Sequence, residues 1–151
     1  LSGDTLVVGA WKDSTVASSA GAVYVFVREG AQWRQQAKLR APLPQASGQF
    51  GASVAISGDT LVTNEDGIVH VFTRTGEEWN ETAQLTAPSG ETNIGFGNAD
   101  LSGAALIVGA SGEHVGRVGT GAAYIYRRGA NGTWTQEARL SPLPAGGTAP
   151  T

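Results

Sequence analysis

The stretch LSGDTLVVGA at residues 1–10 decides the fold, because similar stretches return as ISGDTLVTNE at 56–65 and LSGAALIVGA at 101–110. Self-similarity along a chain is the signature of a repeat architecture, and a unit of about 50 residues is in the range of a propeller blade. The residues around each copy repeat as well.

Four segments of strand length recur in the same order. They are rich in β-branched and aromatic residues and are separated by glycine-containing turns, as is typical of β-strands. Gly58 and Asp59 stand between two segments as a two-residue hairpin signal. Each repeat is therefore predicted to be a four-stranded antiparallel meander. The segments are QFGASVAIS (49–57) and GFGNADLS (95–102); TLVVGA (5–10), LVTNE (61–65) and ALIVGA (105–110); AVYVF (22–26), IVHVF (68–72) and AAYIY (122–126); and WRQQAKL (33–39), WNETAQL (79–85) and WTQEARL (134–140).

The pattern predicts an all-β protein built from about three β-propeller blades. The blades cover residues 1–41, 49–87 and 95–141, and residues 142–151 form a linker-like tail. The first blade has no Phe-Gly segment and therefore lacks its first strand. Because a closed propeller has roughly four to eight blades, we expect these blades to be part of a larger propeller. The missing strand is expected from upstream residues or from another chain, and not from residues 145–151.

Ten of the eleven aromatic residues fall into columns at matching positions of the repeats. Such columns fill the space between neighbouring blades, since one blade cannot bury both of its faces alone. His70 stands in the tyrosine column, so a packed histidine is expected there. The columns are Phe50 and Phe96; Tyr24 and Tyr124; Phe26, Phe72 and Tyr126; and Trp33, Trp79 and Trp134.

Composition limits the classes of function. The 151 residues carry a net charge of −3, which offers no basic field for a nucleic acid. Cysteine is absent, so neither disulfides nor thiolate chemistry is expected. No apolar run approaches the roughly 18 residues of a membrane-spanning helix. Nucleic-acid partners and membrane insertion are therefore not expected.

Two short motifs resemble the FG-GAP repeat, the propeller blade of integrin α-subunits and of many bacterial surface and secreted proteins. They are the pairs Phe50-Gly51 and Phe96-Gly97 at the first strand and Gly9-Ala10 and Gly109-Ala110 at the second. The resemblance runs from residue 1 to about 141. It implies a β-propeller, an extracellular or cell-surface location, and a role in adhesion or ligand binding. The proline that ends the family motif is missing here, and the middle repeat reads Thr63-Asn64-Glu65.

Many FG-GAP repeats bind calcium in an acidic loop between the first two strands. Here that connection is only Ser-Gly-Asp at 57–59 or Ser-Gly-Ala at 102–104. Calcium takes about six to eight oxygen ligands, which so short a turn cannot supply. We therefore expect no cofactor and no metal, and we predict a tight-turn role for Asp4 and Asp59.

The candidate binding face is the end of the blades that carries the long connections, because variable loops on a rigid scaffold are the usual place for binding. These connections are 11–21, 41–48, 87–93 and 111–121, and only 64–67 is short at that end. The candidate ligand-binding residues are Trp11, Lys12 and Asp13 in one loop and Glu113, His114 and Arg117 in another. The alternatives are that Trp11 folds back over the blade edge and that the second cluster is solvated charge on a flexible loop.

Motifs for catalysis are missing, since the chain has no Cys, no GxSxG and no HExxH, and its only histidines are His70 and His114. The carboxylates Glu77, Glu78 and Glu81 near a turn are expected to be solvated. Asn80 and Asn131 match the N-glycosylation pattern and are possible acceptor sites.

The leading hypothesis is a non-enzymatic extracellular propeller segment that binds a protein or glycan ligand through its long loops. The first alternative is a structural module of a larger surface complex or filament, in which neighbouring blades or subunits complete the propeller. The resemblance also allows a third reading, an accessory propeller of a hydrolase.

Overall fold

The computed structural model describes residues 1–91, 94–115 and 118–142. In this part of the chain all regular structure is β, as three antiparallel sheets and a two-stranded hairpin. The predicted all-β propeller architecture is confirmed. The strands are β1 (Thr5–Ala10), β2 (Ala22–Glu29), β3 (Gln32–Leu39), β4 (Val54–Ser57), β5 (Thr60–Glu65), β6 (Ile68–Thr75), β7 (Glu78–Thr86), β8 (Phe96–Ser102), β9 (Ala105–Ala110), β10 (His114–Val115), β11 (Val118–Gly119), β12 (Ala122–Arg128) and β13 (Trp134–Leu140).

Each sheet is a meander in chain order. The first sheet is β1-β2-β3, the second β4-β5-β6-β7, and the third β8-β9-β12-β13, with the hairpin β10-β11 between β9 and β12. Ser57 pairs with Thr60, which leaves Gly58 and Asp59 as the predicted two-residue turn. Within the described residues the first sheet has no counterpart of β4 or β8, as the sequence predicts. The prediction that residues 145–151 do not supply the missing strand concerns residues outside those described.

The pairing of the last two strands of every sheet carries the same irregularity, one extra residue in the last strand. The pairing register shifts after Val25, after Val71 and after Ile125, which are equivalent positions of the three repeats. A bulge bends a strand and increases its twist, so the three sheets share one local shape.

The core lies between the sheets. Val7 and Val25 of the first sheet pack with Leu61 and Phe72 of the second in one cluster. A second cluster is formed in the same way by the opposite face of the second sheet and the third sheet, with members Val62, Val71, Leu101, Leu106, Val108, Tyr124 and Tyr126. The second sheet is therefore covered on both faces, as expected for an interior blade.

The tryptophan column of the predicted interblade core is only partly buried. Trp79 is buried and donates from Nε1 to Oε1 of Gln36, 2.9 Å away in the preceding sheet. The equivalent Trp33 is 43% exposed. The prediction that this tryptophan lies in the interblade core is therefore wrong for the described residues. The reason is that each tryptophan packs against the preceding sheet, and no described sheet precedes the first one.

Side-chain hydrogen bonds join successive sheets at the end that carries the short turns. Ser2 Oγ accepts from the Gly58 N–H and Ser57 Oγ accepts from the Gly103 N–H, both at 2.9 Å. We call this repeated contact the Ser-Gly latch. Nearby, Arg74 donates to Thr5 Oγ1 at 3.0 Å and Arg128 to Thr60 Oγ1 at 3.1 Å. These bonds fix the register of neighbouring sheets.

The turn aspartates also hold arginines at this end. Asp4 pairs with Arg28 and Asp59 with Arg74, both at about 2.8 Å. A turn role for both aspartates agrees with the expectation from the sequence. Within the described part of the chain, no helix has the length and apolarity that crossing a membrane requires.

Candidate functional site

The long connections meet at one end of the sheets and leave a cleft above the second sheet. At this end, β5 and β6 of the second sheet are joined by a two-residue turn, Asp66 and Gly67, because Glu65 pairs with Ile68. The corresponding connections of the other two sheets span residues 11–21 and 111–121. A short turn between long neighbours leaves a depression, which we call the loop-end cleft.

The loop-end cleft has two lobes that meet at Asp66, Gly67, Gly95 and Phe96. The larger lobe has a volume of about 610 Å³ and is lined by Asp66, Gly67, Ile68, Thr86, Ala87, Gly90, Glu91, Ile94, Gly95 and Phe96. The smaller lobe, of about 420 Å³, is lined by Ser47, Gly48, Gln49, Ala52, Asn64, Asp66, Gly67, Gly95, Phe96, Asn98 and Ser111.

The two lobes differ in chemistry. In the larger lobe, the half-buried apolar side chains of Ile68 and Ala87 form a wall beside the exposed carboxylates of Asp66 and Glu91. The smaller lobe carries amides and hydroxyls, among them those of Asn98 and Ser111. An apolar wall with a few polar groups is the common composition of ligand sites. The cleft can therefore hold an apolar group and hydrogen-bond to its polar neighbour.

One residue predicted from the sequence stands beside this cleft. His114 Nδ1 lies 3.3 Å from Glu91 Oε2, and its backbone N–H lies 3.4 Å from the same oxygen. His114 belongs to the hairpin β10-β11, so part of the loop predicted to be flexible has regular structure. Arg117, the third predicted residue of this loop, lies outside the described residues.

Trp11 and Lys12 occupy a different part of the loop end. Trp11 is 40% exposed, and Lys12 Nζ stands 4.5 Å from the centre of its ring. Neither residue lines the loop-end cleft. The structure thus separates them from Glu91 and His114, and their predicted role in ligand binding stays a prediction.

Asp13 makes contacts within its own sheet. Its Oδ2 accepts from Tyr24 Oη at 2.8 Å and from Lys38 Nζ at 2.7 Å, and its Oδ1 accepts from Thr15. These bonds, that of Lys38 first, hold the pKa of Asp13 far below its usual value. The carboxylate therefore ties the 11–21 loop to β2 and β3.

Glu113 makes the equivalent contacts in the third sheet. Both of its oxygens accept from Tyr124 Oη, at 2.8 and 2.6 Å, and Oε1 also accepts from Arg139 Nε at 2.8 Å. Its side chain is 1% exposed. The interpretation of Glu113 as solvated loop charge is wrong, because a tyrosine and an arginine of neighbouring strands enclose it.

We expect Asp13→Asn to lower the melting temperature at pH 7 by a few degrees. A folded-state pKa below the unfolded value means that the charged carboxylate favours folding. This contribution is complete above the ordinary aspartate pKa of about 4 and is lost as the pH falls through the lower folded-state value. Melting temperatures of both proteins from pH 7 to pH 2 should therefore draw together below about pH 4. A gap of constant size across that range would contradict this role, and the exposed Asp66→Asn provides the control.

The middle sheet replaces this arrangement with a buried histidine. His70 is 2% exposed, as predicted for a packed residue, and its ring meets that of Phe50 edge-on at 5.2 Å. Its Nδ1 lies 2.6 Å from Glu81 Oε1, and its Nε2 lies 3.6 Å from Glu65 Oε2. Burial, the largest cause, raises the pKa of Glu65. The expectation that Glu81 is simply solvated is wrong, since it binds His70.

The two predicted glycosylation sites are both exposed. Asn80 lies in β7, and Asn131 lies in the turn before β13, where its Oδ1 accepts from Thr133 Oγ1 at 2.6 Å. Among the residues that the structure describes, no three His, Asp or Glu side chains are grouped to hold a metal ion.

The chain is similar to one family and to solved structures. A family model described as the FG-GAP repeat matches residues 1–26, 33–68 and 79–126. The crystal structure of Saccharomyces cerevisiae Sqt1, a β-propeller, is similar with a TM-score of 0.56 and 16% sequence identity. The match covers 91% of this chain and 32% of Sqt1, so the chain spans about a third of that protein. At this identity the likeness concerns the fold alone. No curated protein matches the chain.

Proposed function

Because this chain belongs to the FG-GAP repeat family, we propose that it is a non-enzymatic extracellular module that binds a protein or glycan partner through the loop-end cleft. The family and the propeller fold make the chain a binding or structural repeat module. The observation that supports binding at this place is the cleft itself, which lies between long connections and combines an apolar wall with polar groups. The extracellular setting rests on the family.

The non-enzymatic part of the proposal rests on what surrounds the two histidines, since histidine is the most frequent general base. His70 contacts carboxylates and a phenyl ring, and His114 contacts Glu91. Within the described residues neither histidine is bonded to a hydroxyl that it would activate as a nucleophile. Binding without turnover is the chemistry that these surroundings support.

The test is a binding screen of the intact chain against immobilised matrix proteins and glycans. The double variant Asp66→Asn/Glu91→Gln removes two charges from the cleft, and Glu77→Gln/Glu78→Gln removes two exposed charges at the opposite end as the matched control. We expect the cleft variant to weaken binding at least about tenfold, as for the loss of a few polar contacts, and the control to bind as the native chain does. Trp11→Ala tests the separate position predicted from the sequence.

Equal binding by the folded cleft variant and the control would overturn the assignment to this cleft. We also propose that no metal takes part, so a chelator should leave binding unchanged. A loss of binding in EDTA, restored by added calcium, would contradict that part of the proposal.

Two exposed apolar faces support a second candidate function, a module that assembles with further blades. On the first sheet the outward face includes Val8 and Trp33, each 43% exposed. On the third sheet it includes Ile107 at 42% and Leu140 at 50%. Large apolar side chains exposed on the same face of a sheet are candidates for an interaction site. We propose neighbouring blades or subunits as the partners in that case.

A further inference from the structure

The first sheet shows how a Phe-Gly pair docks on the face of a preceding blade. The Phe50 side chain is fully buried between the first and second sheets and meets Phe72 edge-on at 6.1 Å. The Phe50 N–H donates to the Ala20 carbonyl at 2.9 Å, and residue 50 forms a parallel bridge with Gly21. A pocket for one ring and a short backbone pairing therefore hold the pair in place.

Glycines make this docking possible. A Cβ on Gly9 would overlap the Gly51 carbonyl oxygen, and a Cβ on Gly21 would overlap the Phe50 carbonyl oxygen. The incoming backbone therefore occupies the space that side chains would otherwise fill. We call the surface around these two glycines a Phe-Gly seat.

The second sheet shares part of this arrangement: Gly67 stands where the first sheet has Gly21, but an added Cβ there would meet nothing within 4 Å. Asn64 stands where the first sheet has Gly9, and a Cβ on Gly97 would lie 2.9 Å from the Asn64 amide nitrogen. Phe96 is 3% exposed and meets the Tyr124 ring edge-on at 5.9 Å. Two Phe-Gly pairs of this chain are thus each docked on the sheet before them.

The third sheet carries the same seat with no occupant among the described residues. A groove of about 540 Å³, with lining that is mostly apolar, lies on its outward face. Gly109 and Gly121 stand at the positions of Gly9 and Gly21. Eleven of the twelve residues that line the groove belong to the third sheet, its 111–121 connection or the residues after β13, and the twelfth, Gly95, comes just before β8.

Gly109 is unlike Gly9 in what surrounds it. A Cβ on Gly109 would meet nothing closer than the Asn98 carbonyl oxygen at 3.6 Å, which is ordinary van der Waals contact. Packing within the described chain therefore gives no reason for a glycine there. The close approach of another backbone, as at Gly9, does give one.

We propose that this groove binds the Phe-Gly strand of a further FG-GAP repeat, which adds its ring and backbone as Phe50 does on the first sheet. The proposal rests on the second candidate function, assembly with further blades, and names the segment that docks. Recognition combines strand pairing with a pocket for one side chain, as in peptide binding by strand addition. The ring is expected to give specificity, because the equivalent place between the first and second sheets is filled by the buried ring of Phe50.

The probe is a fluorescent peptide with the sequence of residues 45–57, QASGQFGASVAIS, added to the intact chain. Its matched control replaces the phenylalanine by alanine. We expect saturable binding of the first peptide and at least about tenfold weaker binding of the second, because burying one phenyl ring contributes that much. The Gly109→Val variant should fold as the native chain does and should not bind the peptide, since valine suits a strand and fills the seat.

Three results would overturn the proposal. The first is equal binding of the two peptides, or binding by folded Gly109→Val. The second is binding that appears only when residues 143–151 are removed, which would make that tail the occupant. The third is a dimer, seen by light scattering, that becomes monomeric in the Gly109→Val variant but is unchanged by the peptide. That result would make a second copy of this chain the occupant.

The design separates this proposal from the assembly function on which it rests. Self-association that neither the peptide nor Gly109→Val changes would leave assembly standing and the seat wrong. A monomeric chain that binds no peptide would contradict both the assembly function and the proposed docking of a Phe-Gly strand.

Discussion

Gly9→Ala is expected to lower the free energy of unfolding by about 3 kcal/mol, toward the upper end of overpacking costs. The new Cβ would overlap the Gly51 carbonyl oxygen, and a backbone atom between two sheets has little room to move away. The measurement is a urea unfolding curve of the variant and of the native chain, followed by circular dichroism.

Gly109→Ala is the matched control for this substitution. It places the same methyl group at the same position of the third repeat, where the nearest atom is 3.6 Å away. We expect the free energy of unfolding to change by less than about 0.5 kcal/mol, as for most substitutions that create no steric conflict. Equal losses in both variants would show that strand propensity, and not the docking of Phe50 and Gly51, requires the glycine.

Phe50→Ala is expected to lower the free energy of unfolding by about 3–5 kcal/mol, the range for removing a buried aromatic ring. The ring is fully buried and packs edge-on against His70 and Phe72, so its loss opens a cavity between two sheets. Urea unfolding at reduced temperature keeps the variant folded at the start of the curve. Trp33→Ala is the control. Because its side chain is 43% exposed, we expect this substitution to lower the free energy of unfolding by about 1 kcal/mol or less. A larger loss for Trp33→Ala than for Phe50→Ala would contradict the assignment of the core.

The sheets were predictable because each strand occurs two or three times in the sequence. A short apolar run such as IVHVF is ambiguous alone, yet its position between two turn signals in three copies removes the ambiguity. The position of Phe50 between the sheets follows from the same argument, since a column of large residues needs a neighbour to cover it. Trp33 shows the limit of this reasoning. A column does not tell which side the neighbour occupies, and the tryptophan column faces the preceding sheet.

The environment of Glu113 was missed because its partners lie far away in the sequence. Tyr124 is 11 residues ahead and Arg139 is 26 residues ahead, and only the pairing of β12 with β13 brings them together. One signal does exist in the sequence. Asp13 precedes Tyr24 by the same 11 residues, so an acid at a fixed distance before a tyrosine occurs twice and indicates a structural contact.

The loop end was predictable as a face, but its cleft was not predictable as a set of residues. The short connection at 64–67 is visible in the sequence, and a short loop between long ones indicates a depression. Glu91 and Asn98 line the depression, and their place there depends on packing between sheets and not on any local pattern. These two positions are therefore known only from the three-dimensional arrangement.

The Ser-Gly latch gives the array a direction and a simple way to grow. In the pair at 57 and 58, the glycine N–H donates to the preceding sheet while the serine hydroxyl accepts from the following one. One dipeptide thus carries both halves of the connection. Tandem duplication of a repeat within the gene would copy both halves together, and the new unit would fit either neighbour without any further substitution. Natural selection is then free to change the opposite end, where loop length alone reshapes the binding surface.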